Sequence, residues 1–246
     1  MKIISKIEIH PFTYFVLVLA IITGHFHDVT MLFILFFIHE LGHIFTALFF
    51  HWKIEKIKFL PFGGVTIFQE DINRPSKEEW WIVAMGPLFQ TLAYVSCCSF
   101  FNEQFLYYHL FFFGFNLLPI VPLDGSKIVT LILERFFSFS KSHVGIIYLS
   151  IFLTSLFCFY TIILHNLVLT IAFFFLFCQT WIEVRKHAML CEKFFLERYL
   201  KSFSFKKHCF VSGVDPYLMK RDYKHLFYEN GTYYTEKEVL KEYFDG

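Results

Sequence analysis

The stretch Leu35-Phe36-Phe37-Ile38-His39-Glu40-Leu41-Gly42-His43-Ile44-Phe45 decides how this chain is read. It lies in an apolar run from about Val29 to Phe50, long enough to cross a bilayer as a helix, yet it carries two imidazoles and a carboxylate. On a helix, positions i and i+4 share one face a turn apart, so His39 and His43 can bind one Zn²⁺. Glu40, beside them, can take the proton of an attacking water. An acidic group at mid-bilayer costs about 3 kcal/mol to insert and therefore faces a partner, a metal or a water cavity. The bland alternative is a neutral His/Glu cluster that only joins helices.

The composition around this stretch agrees with a membrane setting. Of the 246 residues, 56% are apolar and only 17% charged, with a mean hydropathy of +0.52, which argues against disorder and against a polyanion-binding surface. Of the 22 Lys and Arg, 12 follow residue 184, so an apolar body of residues 1–184 precedes a polar tail. The six cysteines include no CxxC pair, so neither a disulfide framework nor a cysteine zinc site is expected.

Further apolar runs fall at about Phe12–Ile22, Trp80–Phe100, Phe105–Leu133, Val144–Leu164 and Leu167–Ile182, for six expected spans in all. The first run is short and needs flanking residues from Ile7 onward; retention is expected over cleavage as a signal peptide. The loops near Gly24–Asp28, Phe101–Gln104 and His165-Asn166 hold no Lys or Arg. All 22 basic residues fall on or near the other side, which predicts six spans with cytosolic termini.

Two histidines leave a tetrahedral zinc site short of a donor. Asn116-Leu117-Leu118-Pro119-Ile120-Val121-Pro122-Leu123-Asp124-Gly125 offers Asp124 where two prolines and a glycine break the fourth span. Counted from the cytosolic helix ends, Glu40 and Asp124 lie about 16 and 15 Å deep. Asp124 is thus either the third ligand or a capping residue in a helix-breaking turn. Asn116 either steadies an oxyanion or substrate backbone, or bonds between helices. Gly86-Pro87 suits a kink and close helix approach. His10, His25, His27, His109, His143 and His165 are read as interfacial, without a role.

With His39-Glu40-xx-His43, Gly86-Pro87 and Asn116-xx-Pro119-xx-Pro122-Leu123-Asp124-Gly125 in view, the chain resembles the site-2 protease family of intramembrane zinc metalloproteases. Within it, the stretches His10-Pro11-Phe12, Leu60-Pro61-Phe62-Gly63-Gly64, Asn73-Arg74-Pro75 and Phe195-Leu196-Glu197-Arg198-Tyr199 resemble the sporulation members. The resemblance runs from about residue 6 to 200. It implies one zinc per chain on His39, His43 and Asp124, with Glu40 as the catalytic residue. It also implies a sigma-factor precursor as protein substrate, inhibitory membrane proteins as partners, and the membrane around the forespore, facing the mother cell, as location. Ser126 stands where a second Gly often occurs and Gln90 where Asn often does; both departures are read as bearing on substrate contacts.

A transmembrane helix must unwind to be cut. Lys53 to Phe59 alternates basic and apolar residues as an interfacial strand would, and Pro61-Phe62-Gly63-Gly64 turns it toward Val65–Phe68. This hairpin either adds a substrate strand, with Phe62, Gly63, Gly64 and Pro122 among the contacts, or anchors the chain at the membrane surface.

In the tail, Asn230-Gly231 between two short β-prone runs signals a hairpin, and Thr235-xx-Glu238 is a capping box. This strand, turn, strand and helix resemble one nucleotide-sensing CBS motif; ATP would then need self-association into a homo-oligomer, and a packing module is the plainer alternative. The expected organisation is a six-helix all-α membrane domain with a cytosolic interfacial hairpin over residues 1–184, a linker over 185–200 and a small cytosolic α+β domain over 201–246. The expected function is an intramembrane zinc endopeptidase acting in the cytosolic half of the bilayer, with no direct nucleic acid. A metal-ion transporter and a catalytically silent scaffold are the alternatives.

Overall fold

A computed structural model describes residues 7–9, 11–24, 26–60, 63–69, 71–97 and 103–245. The described chain divides into two compact units: residues 1–70 with 77–118, and residues 71–76 with 119–246.

The first unit is built on helices α1 (Pro11–Ile22), α2 (Phe26–Phe49), α3 (Ser76–Cys97) and α4 (Glu103–Asn116), with strands β1 (Ile7–Ile9), β2 (Ile54–Leu60) and β3 (Gly63–Phe68). The expected hairpin is present: β2 and β3 pair antiparallel from Leu60↔Gly63 to Ile54↔Phe68. Of the loop residues singled out, Gly63 and Gly64 open β3, while Phe62 lies outside the described residues. The third strand was not anticipated. Ile7–Ile9 pairs parallel with Ile57–Phe59, giving a sheet of order β1-β2-β3. Glu8 meets Lys56 and Lys58 across that pair. A three-residue strand lends its sequence no readable alternation, which is why β1 reads as part of the first span.

Helices α2 and α3 approach through glycine. A Cβ on Gly42 would sit 2.3 Å from the Met85 carbonyl oxygen, and one on Gly86 would sit 2.3 Å from the His43 ring. Small residues let two membrane helices close to backbone contact. At the end of α2, Ala47, Trp52 and Ile82 form a buried cluster, and the Trp52 indole donates to Glu78 at 2.7 Å.

In the second unit, α5 (Asp124–Leu133), α6 (Phe139–Ile163) and α7 (Leu167–Leu200) precede strands β4 (Lys207–Ser212), β5 (Tyr223–Glu229) and β6 (Thr232–Thr235) and helix α8 (Glu236–Asp245). Helices α6 and α7 each bury small polar residues; Ser150, Thr154 and Thr180 are fully buried and return their hydroxyls to carbonyls of the preceding turn. Residues 185–200, expected as a linker, are the last turns of α7. They share one core with the tail: Phe139 stacks on Phe194 at 4.4 Å, and Cys191, Phe195, Met219, Phe227, Val239 and Leu240 close around them. Each such buried side chain contributes about 1.5–3 kcal/mol.

The tail forms as its local signals predict. Asn230 and Gly231 both take positive φ, 49° and 83°, the twist that a two-residue hairpin requires. The capping box is reciprocal, with Thr235 N donating to Glu238 at 2.7 Å and Glu238 N to Thr235 Oγ1 at 3.4 Å.

Among the described residues, three helices are long and apolar enough to cross a membrane: α2, α6 and α7. The count of six is therefore not reached on that measure, for visible reasons. Helix α1 has 12 residues, α3 opens on the charged turn Lys77-Glu78-Glu79, and the fourth apolar run is two helices, α4 and α5, separated by the Pro119–Leu123 segment. The interfacial reading also fails for two histidines. His109 is 5% exposed, and His143 Nδ1 lies 2.9 Å from His187 Nδ1 with Glu183 at 3.5 Å from its other nitrogen. Both sit inside helix contacts, not at a wet interface.

Candidate metal centre

Helix α2 turns one face inward, and His39, Glu40, Gly42, His43, Thr46 and Ala47 are all buried along it. The two imidazoles occupy the same side of successive turns, with Nε2 to Nε2 at 3.0 Å and ring centroids at 4.8 Å. Each ring is held at Nδ1 by an oxygen of α3. His43 Nδ1 lies 2.7 Å from the Ile82 carbonyl, and His39 Nδ1 lies 3.2 Å from Gln90 Oε1. An oxygen acceptor obliges each Nδ1 to carry the hydrogen, which leaves a lone pair on each Nε2.

Two lone pairs facing each other at 3.0 Å repel unless a positive charge lies with them. A pair of nitrogens on one tetrahedral zinc would be about 3.3 Å apart, given Zn–N of about 2.0–2.1 Å. Gly86 supplies the room, because any Cβ there would fall 2.3 Å from His43 Nε2 and 2.9 Å from His39 Nε2. The residues present therefore fit a metal ion, and the reading of Gly86 as a close-approach position holds at the imidazoles themselves.

Glu40 is 6% exposed. Its Oε2 accepts the Thr66 hydroxyl of β3 at 2.8 Å, so the strand fixes the carboxylate's direction. Thr66 is a residue that sequence reasoning missed; nothing in a β-hairpin marks one threonine as the partner of a helix carboxylate. Gln90 was missed differently. It is fully buried, and it bonds to His39, where it had been read as a substrate-contact position. A polar residue within an apolar span needs a partner, and that signal was available for both Gln90 and His109.

In the second unit, Asp124 is 5% exposed and opens α5, the end at which a helix dipole favours a carboxylate. Lys127 Nζ lies 3.1 Å from its Oδ1, and the Ser126 hydroxyl bonds the Leu123 carbonyl at 2.7 Å to tighten the turn. Pro122 follows a cis bond and is half-buried. Asn116, buried at the end of α4, donates its amide to the Phe112 carbonyl at 3.2 Å, a bond within its own helix.

The model of peptidase family M50 matches residues 28–106, a segment that holds the HExxH turn, Thr66, Gly86 and Gln90. Stage IV sporulation protein FB of Bacillus subtilis is 35% identical over 210 residues, which are 81% of this chain and 73% of that protein. The chain belongs to peptidase family M50, the site-2 proteases. Zinc metalloprotease MJ0392 of Methanocaldococcus jannaschii is 34% identical over 128 residues, 46% of this chain and 37% of that protein. The solved site-2 protease from Methanocaldococcus jannaschii matches with a TM-score of 0.59 at 26% identity, covering 72% of this chain and 89% of that one. This M50 chain is thus an intramembrane metalloprotease and an integral membrane protein. The transporter and silent-scaffold alternatives give way to it.

Proposed function

We propose that the protein holds one zinc ion through His39 Nε2, His43 Nε2 and the Asp124 carboxylate, and cleaves a membrane-associated protein with Glu40 as its catalytic residue. The observation that carries this is the Nε2-to-Nε2 approach of 3.0 Å, with each Nδ1 set against an oxygen of α3, beside a buried glutamate. Asp124, buried within its own unit, offers the carboxylate type of donor that zinc takes. When bound, zinc acts as a Lewis acid that polarises the peptide carbonyl and lowers the pKa of water.

The chain's own groups do the rest. With Oε2 engaged by Thr66, Glu40 turns its Oε1 to the attacking water and takes one of its protons as the water oxygen bonds the carbonyl carbon. When the C–N bond breaks, Glu40 returns that proton to the departing amine nitrogen. The buried setting limits stray water. An extended substrate segment pairs along β3, one of the two edge strands of the β1-β2-β3 sheet and the one that carries Thr66.

The substrate class is a sigma-factor precursor of the sporulation pathway, cut near its N-terminus at the cytosolic half of the bilayer. Support comes from the Bacillus subtilis relative and from the one-sided distribution of Lys and Arg. That distribution also supports six passes with cytosolic termini. The test is co-expression with such a precursor. The unaltered protein produces a size shift and Glu40→Gln does not, while Glu40→Gln retains stoichiometric zinc; cleavage by Glu40→Gln at the normal rate removes Glu40 from the mechanism.

A further inference from the structure

A buried relay of polar groups runs from α2 through α3 to α4. His39 Nδ1 faces Gln90 Oε1 at 3.2 Å. On its other side, Gln90 Nε2 lies 3.1 Å from the His109 backbone oxygen and 3.1 Å from His109 Nδ1. His109 is itself clamped, its ring stacked on Tyr94 at 4.6 Å with planes 10° apart.

The backbone oxygen is what gives this relay a direction. A carboxamide can present oxygen or nitrogen to a neighbour, and an imidazole can answer either way, so a Gln–His contact alone fixes nothing. A backbone carbonyl only accepts. Gln90 must therefore turn its NH2 toward α4, which leaves only its oxygen for His39. His39 must then carry its hydrogen on Nδ1 and its lone pair on Nε2. A reversed amide would set its oxygen against the His109 carbonyl, acceptor against acceptor, would draw the hydrogen of His39 to Nε2, and would abolish a ligand.

We infer that Gln90 is a positioning residue of the metal centre: locked by the His109 backbone, it fixes the tautomer and aim of His39. The inference rests on the zinc reading above. It assigns the departure at residue 90 to ligand orientation, not to substrate contact. It also explains why α4, which supplies no metal ligand, packs its His109 and Phe112 against the layer behind His39.

Zinc affinity of the purified full-length protein, measured by chelator competition, tests this without reference to cleavage. Gln90→Leu keeps the volume and removes the acceptor; it lowers zinc affinity about 10- to 100-fold, the usual effect of losing such a partner. Gln90→Glu retains an oxygen for His39 Nδ1 and stays within about threefold of the unaltered protein. The inference is overturned if Gln90→Leu binds zinc within twofold of normal, or if Gln90→Glu is weakened as much as Gln90→Leu. Should Gln90→Leu not fold, Gln90→Glu alone decides, since tight zinc supports the acceptor role and weak zinc removes it. Failure of the unaltered protein to bind zinc at all would instead strike the metal reading itself.

Discussion

The two units each bury a cluster of polar side chains, and the clusters are built on opposite logic. In the second unit, Arg198 of α7 is surrounded by acceptors: the Tyr223 and Lys220 carbonyls at 2.9 and 3.0 Å, Asn73 Oδ1 at 2.5 Å and Glu236 at 3.0 Å. Glu236 in turn accepts from the His225 backbone at 2.6 Å. Burial pushes the Glu236 carboxyl up, but His225 and Arg198 outweigh it and hold it below the usual range; burial chiefly lowers His225. Donors meet acceptors and charge meets charge around Arg198 and Glu236, so each is answered within the chain. In the first unit, two acceptor nitrogens face each other beside a carboxylate. A buried cluster whose members share one polarity asks for a cation, and that asymmetry marks the site more firmly than burial or charge does.

Three substitutions sharpen the contrast, in falling order of effect. Arg198→Ala leaves Glu236 buried without its guanidinium; breaking a buried pair costs about 3–5 kcal/mol, so thermal unfolding comes markedly earlier while the folded protein at 25 °C keeps its zinc. Unchanged thermal stability would mean that the second cluster is ornamental. Gly86→Ala is the converse. Its methyl collides with both imidazoles, and overpacking of about 1–3 kcal/mol appears chiefly as a roughly 10- to 100-fold loss of zinc affinity in chelator competition, with little loss of secondary structure by circular dichroism. Normal zinc binding by that variant would break the cradle argument. Thr66→Val removes the hydroxyl from Glu40, and a hydrogen bond to a charged group is worth about 1.5–3 kcal/mol. The expected effect is a fall in kcat of about tenfold or more with KM and zinc content unchanged, rescued by Thr66→Ser. A rise in KM alone would place Thr66 with the substrate strand and not with the base.

The parts of this molecule that were legible in advance are those whose physics is local. An i, i+4 spacing placed His39 and His43 on one face; Asn230-Gly231 selected its turn; Thr235 and Glu238 capped their helix; and Pro119 and Pro122 broke the fourth run between α4 and α5. Residues 185–200 escaped because a charged segment reads as a linker until Phe194 and Phe195 are seen buried under the tail. His109 and His143 escaped because a histidine near a span end has the same sequence signature whether it meets water or another helix.

By itself, then, the sequence determined the chemistry available to this protein: zinc-type donors on one helix turn, a carboxylate beside them, an apolar body and a β-hairpin. Those follow from side-chain identity and from the 3.6- and two-residue periods of regular structure. Only the tertiary structure decided which nitrogen of each imidazole meets an oxygen of α3, which oxygen of Glu40 accepts from Thr66, and why residue 86 has no side chain. Each of these depends on a partner far away in the chain, such as Ile82, Gln90, Thr66 or the His109 carbonyl. Hydrogen-bond direction is a property of pairs in space, and no periodicity along one strand or helix records it.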